Sequence, residues 1–250
     1  MNTTARSLLA FLATCATAVG GVIVVPSHNT TDYTNTPGNY TEGQGSTGAG
    51  VIQQLIGSGQ FSGLGEIQIT EISFRPAAGD GDFSANFGAL SVYLSTSPNF
   101  PNSLTPMMST TFGNNVGPDE TLVYSSPNAS WSGAGCAGPG VCPFDINLVL
   151  STPFNYNPAN GQLLLELDFS NYSATNYMDA VMFSSASVSK IEQVVSFGTA
   201  NPTSGTSAYI GLITQFDYTP SPEPSSWMML AGGGVLFFGY RKFRQAPDRR

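Results

Sequence analysis

Apolar and polar residues alternate with a period of two along much of this chain. Leu90, Val92 and Leu94 alternate with Ser91, Tyr93 and Ser95, and Phe144, Ile146, Leu148 and Leu150 alternate with Asp145, Asn147 and Val149. Leu163, Leu165, Leu167 and Phe169 face one way with Glu166 and Asp168 on the other, and Ile191, Gln193, Val195 and Phe197 oppose Glu192, Val194 and Ser196. A strand turns successive side chains to opposite faces, so each run reads as a half-buried strand. Val22–Pro26 is a β-branched run suited to a first strand. Ile67–Phe74 is β-rich but changes phase near Thr70 and Glu71, which predicts a bulge. Thr121–Ser125, Tyr177–Phe183 and Tyr209–Tyr218 complete the set, while Val51–Ile56 fits a helical turn as well as a strand. No helical period is sustained in the body. Turn signals such as Asn157-Pro158 and Asn160-Gly161 separate the runs. The expected fold is all-β, an antiparallel two-sheet sandwich of jelly-roll-like kind.

The two ends break this pattern. Met1–Ala18 reads as a secretory signal peptide, with Arg6 as a minimal basic region, Leu8–Ala13 as the apolar core and Ala16-Thr17-Ala18 as the cleavage site. Residues 19–50 hold the first strand and then a Thr/Asn/Gly-rich stretch, Ser27–Gly50, expected to be an exposed loop or flexible polar arm. Residues 51–219 form the expected sandwich domain, and residues 220–250 a tail of a different kind. That tail runs Pro222-Glu223-Pro224, then the apolar block Trp227–Tyr240, then Arg241, Lys242, Phe243 and Arg244. With two leading serines the block is about 16 residues, or roughly 24 Å as a helix. A bilayer core is about 30 Å thick, so this is a short transmembrane helix. Gly232, Gly233 and Gly234 weaken it further. It suits a temporary tether. The positive-inside bias keeps Arg241, Lys242 and Arg244 cytoplasmic as a basic stop, and places everything before Pro222 outside the inner membrane. The two prolines hold Glu223 in the extended form that proteases bind.

This order of parts, a prolyl spacer, a short span and a basic stop, resembles the PEP-CTERM sorting signal of Gram-negative bacteria. The resemblance implies an exosortase-type membrane protease as partner, cleavage near Pro222, Glu223 and Pro224, and transfer of the body to the cell envelope, the surface or the extracellular space. Ile72–Pro76, Leu94–Ser97, Thr110–Tyr124 and Phe154–Glu166 further look like exported PEP-CTERM proteins of cyanobacteria and acidobacteria. That likeness implies compartment and fold, and carries no activity for the body.

Charge narrows the function classes. Between Pro26 and Pro220 there are 14 acidic residues against two basic ones, Arg75 and Lys190, a formal charge of −12. A nucleic-acid binder needs a basic face and is excluded. An anionic-membrane binder is disfavoured on the same ground. Charged residues are only 10% of the chain, well below the usual quarter.

The chemistry-bearing residues are few. His28 is the one histidine and sits at the start of the polar arm, where nothing would hold it rigid as a catalytic base. Paired carboxylates could flank a sugar as in a glycoside hydrolase. Glu66, Glu71, Glu166, Asp168, Asp179 and Asp217 all lie near strands, but Glu166 and Asp168 alternate with leucines and read as a solvated sheet face. The body is therefore expected not to be an enzyme and to need no cofactor. Asp80 and Asp82 in Gly79–Asp82, and Asp119 with Glu120, are oxygen-rich turns that calcium could use, though neither has an EF-hand's spacing. Trp131, Tyr93, Tyr124, Tyr172 and Tyr177 are the aromatics that could stack on sugar in a lectin-like carbohydrate-binding module, making extracellular polysaccharide a candidate partner. Cys15 leaves with the signal peptide, so Cys136 and Cys142 remain as an even pair in an oxidising compartment. The turn-rich loop between them can close a disulfide.

Overall fold

The computed structural model describes residues 20–26, 47–79, 81–99, 108–136, 141–182, 191–208 and 210–221. Its strands, in chain order, are β1 (Gly21–Val25), β2 (Gly48–Ile56), β3 (Ile67–Phe74), β4 (Phe83–Ser97), β5 (Thr121–Gly133) and β6 (Ile146–Tyr156). They continue with β7 (Gln162–Thr175), β8 (Ala180–Met182), β9 (Ile191–Phe197), β10 (Thr206–Ala208), β11 (Ile210–Leu212) and β12 (Thr214–Pro220). Two short 3-10 turns, Ser58–Phe61 and Phe112–Asn114, are the only helical segments among the described residues. The expected all-β fold with antiparallel sheets is observed. One sheet has the order β1-β12-β3-β6 and the other β10-β9-β2-β7-β4-β5, with β11 and β8 as a separate pair. The expected signal segment and the apolar block of the tail lie outside the described residues, as does the polar arm up to residue 46, but its expected end at Gly50 is corrected: Gly48–Gly50 open β2 and pair with β7. Among the described residues no helix is long and apolar enough to cross a membrane.

The inward rows of both sheets form one core. Ile69, Ile72, Phe74, Ile146, Leu148 and Phe216 come from the four-stranded sheet, and Ile52, Phe87, Leu90, Leu165, Leu167 and Phe169 from the six-stranded one. A smaller cluster lies on the opposite, outer face of the six-stranded sheet, where Met108 and Phe112 pack over Val51, Leu55, Leu164 and Val194. This second cluster settles the ambiguous run. Ile52 and Ile56 join the main core while Val51 and Leu55 join the outer one, so β2 is buried on both faces and shows no alternation.

The expected bulge is present: the register of β3 on β6 shifts between Ile69 and Glu71, and the Thr70 hydroxyl donates to the Asp217 carbonyl. Other boundaries differ from expectation. β4 extends back to Phe83, with Phe83, Ala85 and Phe87 buried. The register of β4 against β5 shifts on both sides of Gly88. That break reverses the alternation midway and hides the length of the strand from a period count. Gly88 has φ +62°, and a Cβ there would lie 2.6 Å from the Ser170 hydroxyl oxygen. The expected strand Tyr209–Tyr218 is two strands, β11 and β12, parted at Ile213, whose N–H donates to the Asp179 carbonyl. The expected strand Tyr177–Phe183 is reduced to β8.

Candidate functional site

The tail leaves the body from the middle of a sheet. β12 is flanked by β1 and β3, with Gly21 opposite Tyr218 and Pro220 opposite Ile67. Ser221 still belongs to the fold, since its N–H donates to the Glu66 carbonyl at 2.9 Å. The Pro-Glu-Pro motif begins at the next residue, with no spacer. Antiparallel pairing of β1 with β12 also puts the start of β1 beside the end of β12. Gly21 at the start of β1 and Ser221 after the end of β12 therefore share one pole of the described fold. Gly21 is required there: a Cβ would fall 2.6 Å from the Tyr218 ring and hydroxyl.

The second assembly is on the outer face of the six-stranded sheet. Gln53 on β2 lies opposite Glu166 on β7, which in turn lies opposite Tyr93 on β4. Gln53 is fully buried. Its Nε2 donates to the Glu166 Oε2 and to the Phe112 carbonyl, and its Oε1 accepts from Asn115 Nδ2 at 2.7 Å. Asn115, also fully buried, donates to the Ser109 carbonyl and accepts from the Ser109 N–H and Asn99 Nδ2. Both amides have their bonds satisfied, as buried polar groups require. The result fastens the 108–117 segment to the sheet. Burial pushes the Glu166 carboxyl above its ordinary value, the bond from Gln53 pulls it back in part, and the negative charges of Glu120 and Asp168 raise it again. Burial likewise raises Asp168.

At the far end of the same face lies an open groove of about 460 Å³. Two cross-strand rows line it, Ser132–Ser84–Thr175 and Ser130–Asn86–Ser173. Ser84 and Thr175 share a hydroxyl hydrogen bond of 2.9 Å. Between groove and network run Ser91 and Asp168, opposite each other on β4 and β7.

Two of the sugar-stacking candidates are corrected by this arrangement. Trp131 is 6% exposed and Tyr172 fully buried, so neither can meet a glycan. Trp131 sits opposite Ala85, and Ala85 opposite Ala174. These small neighbours leave room beneath the sheet for an indole, which packs 4.2 Å from Phe87 and 5.4 Å from Phe74, centroid to centroid. Tyr172 lies 5.1 Å from the Phe87 ring and 5.6 Å from Phe169. Tyr93, Tyr124 and Tyr177 are half-buried.

The acidic turns bond to backbone. Asp82 Oδ1 accepts from the Gly135 N–H and Asp119 Oδ1 from the Thr96 N–H, while Glu120 donates its N–H to the Gly117 carbonyl. Asp80 and His28 lie outside the described residues, as do Pro222, Glu223, Pro224, Arg241, Lys242 and Arg244. Among the described residues no group of three or more His, Cys, Asp or Glu is placed to hold a metal ion. Cys136 and Cys142 are joined as a disulfide with Cα atoms 5.5 Å apart. The Cys136 carbonyl accepts from the Gly79 N–H, which ties the bridge to the turn before β4.

Two buried groups escape a strand-by-strand reading. Gln53 is one, although a Gln-Gln pair inside Val51–Ile56 is a visible signal of buried amides. The other is Arg75, 1% exposed, which donates through Nε to Asp179 at 2.7 Å and stacks on the Phe144 ring at 5.0 Å. Burial pushes the Asp179 carboxyl up, and the Arg75 guanidinium pulls it part of the way back.

Comparison with known proteins adds one finding about the tail. Residues 222–245 match the family model described as the PEP-CTERM protein-sorting motif. No curated protein and no solved structure matches the chain.

Proposed function

We propose that this chain is an exported, non-catalytic β-sandwich of jelly-roll-like kind that an exosortase-type protease sorts to the cell envelope or the extracellular polysaccharide matrix. The match of residues 222–245 to the sorting motif carries this reading. A signal peptide at Met1–Ala18 starts export, the short helix Trp227–Tyr240 tethers the chain in the inner membrane, and cleavage near Pro222–Pro224 releases or transfers the body. The non-catalytic part of the reading is supported by how two of the carboxylates are used. Glu166 is engaged by Gln53 and Asp179 by Arg75, which are structural roles. Intact-mass measurement of material outside the cell tests the sorting. The expected species begins near Val19 and lacks Trp227–Arg250, and a full-length C-terminus there sinks the reading.

A carbohydrate-binding body is the second reading, favoured by the open hydroxyl- and amide-lined groove on the outer sheet face. Such groups satisfy sugar hydroxyls by hydrogen bonding, and the half-buried Tyr93 lies farther along the same face. A glycan array run with and without calcium separates this reading from a purely structural role.

A further inference from the structure

The junction between body and tail has a geometry that bears on how the tail can be cut. The ladder between β1 and β12 stops at Gly21↔Tyr218, whereas β12 stays paired with β3 through Thr219↔Gln68 and Pro220↔Ile67. Among the described residues, Thr219, Pro220 and Ser221 thus have strand or backbone partners on the β3 side alone. Pro220 has no N–H to give, and Ser221 is fixed by one backbone bond to Glu66 and a long side-chain contact of 3.4 Å to the same residue. A register shift between Asp217 and Tyr218 separates these residues from the rest of the strand. Behind it, Phe216 is fully buried with its ring centroid 6.0 Å from that of Phe61, and Tyr218 packs against the core and over Gly21. Loosening of the strand end is therefore favoured up to Thr219 and opposed beyond it.

The Pro-Glu-Pro motif starts one peptide bond after Ser221. Two residues span at most about 7 Å of extended chain, so Glu223 cannot move far from the sheet while Ser221 stays docked. A protease that binds substrate as an extended strand needs several residues on either side of the bond it cuts. Those preceding the motif are the last residues of β12, which a protease cannot enclose while their β3-facing backbone groups stay paired.

We propose that Thr219–Ser221 are a peelable handle that the sorting protease must lift from β3 to engage Pro222–Pro224, so that the end of β12 sets the rate of tail removal. This rests on the sorting reading above. Lifting three residues adds about 10 Å of reach. When local opening is fast relative to cutting, the rate follows the population of the opened end.

The test uses the full chain in a host that carries the sorting system, with pulse-chase of the tail-bearing form as readout. One variant inserts a Gly/Ser linker of about six residues, roughly 20 Å of reach, between Ser221 and Pro222. A second carries Gln68→Cys with Thr219→Cys, which face each other across the β3–β12 ladder. Antiparallel partners lie about 4.5–5.5 Å apart at Cα, within disulfide range. Tail removal is expected to be several-fold faster with the linker and several-fold slower with the staple, and the linker placed in the stapled chain should restore it. A linker variant processed at the wild-type rate overturns the proposal, whether or not the staple forms, as does a formed staple that changes nothing. If the wild-type tail is never removed, the sorting reading itself fails and takes the handle with it. Removal at equal rates in all variants leaves the sorting intact and refutes the handle alone.

Discussion

At the scale of single residues, the largest electrostatic commitment is Arg75 with Asp179. Among the described residues Arg75 is the one basic side chain, and it is buried against a carboxylate 2.7 Å away. Removing one member of such a pair strands the other charge in a medium that cannot solvate it, so Arg75→Met should cost about 3–5 kcal/mol. Changing both, Arg75→Met with Asp179→Leu, should recover much of that loss, because the desolvation cost of both ions disappears. Urea unfolding of the three variants checks this. Glu166 gives a pH-dependent counterpart. Its folded carboxyl titrates above its ordinary value, chiefly through burial, so the folded state binds the proton more tightly than the unfolded chain does. Stability from this group is thus highest below the unfolded value near 4.5 and falls as pH rises through the folded value. Glu166→Gln keeps an acceptor for Gln53 and removes the charge. The variant should be more stable than wild type at neutral pH, and the difference should vanish in mild acid. Equal melting temperatures at both pH values would show that Glu166 is solvated as freely as an exposed carboxylate.

At the scale of elements, the connection between β5 and β6 is held by several devices. The Cys136–Cys142 bridge closes it, Asp82 accepts from Gly135, and Asp145 Oδ2 accepts from the Ala134 N–H. In the chain-entropy model a loop this short contributes about 2 kcal/mol. Replacing both cysteines by serine should therefore lower the unfolding free energy from urea titration by that amount without unfolding the body, because both carboxylate latches persist. Gln54 does a similar job between the sheets. Its amide donates to Leu212 and Thr214 and accepts from Gln193 and the Leu212 N–H, joining β2 and β9 to β11 and β12. The alternating runs announced the strands themselves. What joins the strands was not announced, because a glutamine's partners lie more than a hundred residues away in sequence.

At the scale of the whole molecule, the features that matter are the charge and the shared pole of the two ends. A body with a formal charge of −12 from 14 acidic and two basic residues is repelled by anionic lipid, which leaves the apolar tail as the proposed tether. Chain ending at Ser221 should stay in the supernatant when anionic vesicles are pelleted, while the full chain should co-sediment. Sedimentation of the tail-less body would overturn that view of the tether. Because β1 and β12 pair antiparallel, the start of β1 and the end of β12 lie at the same end, and the groove is on the other sheet of the body.

The strands with clear alternation, the bulge near Thr70, the facing of the Leu163–Phe169 row, the disulfide and the sorting tail are legible in the sequence. Each of these is written in residues close together: an alternation of two, a phase slip, a short Cys-to-Cys loop, or three consecutive blocks of contrasting polarity. Tertiary structure alone decided which aromatics are inside. Trp131 and Tyr172 sit in strands whose exposed partners are serines, and a residue-by-residue reading treats such rings as amphipathic surface. Only the pairing of Trp131 with Ala85, next to Ala174, shows the space that receives the indole. The same holds for Gln53, Asn115 and Glu166, and for the docking of Ser221 on Glu66. These are contacts across sheets and loops, fixed by the register of distant strands, and local periodicity carries no information about register between strands far apart in the chain.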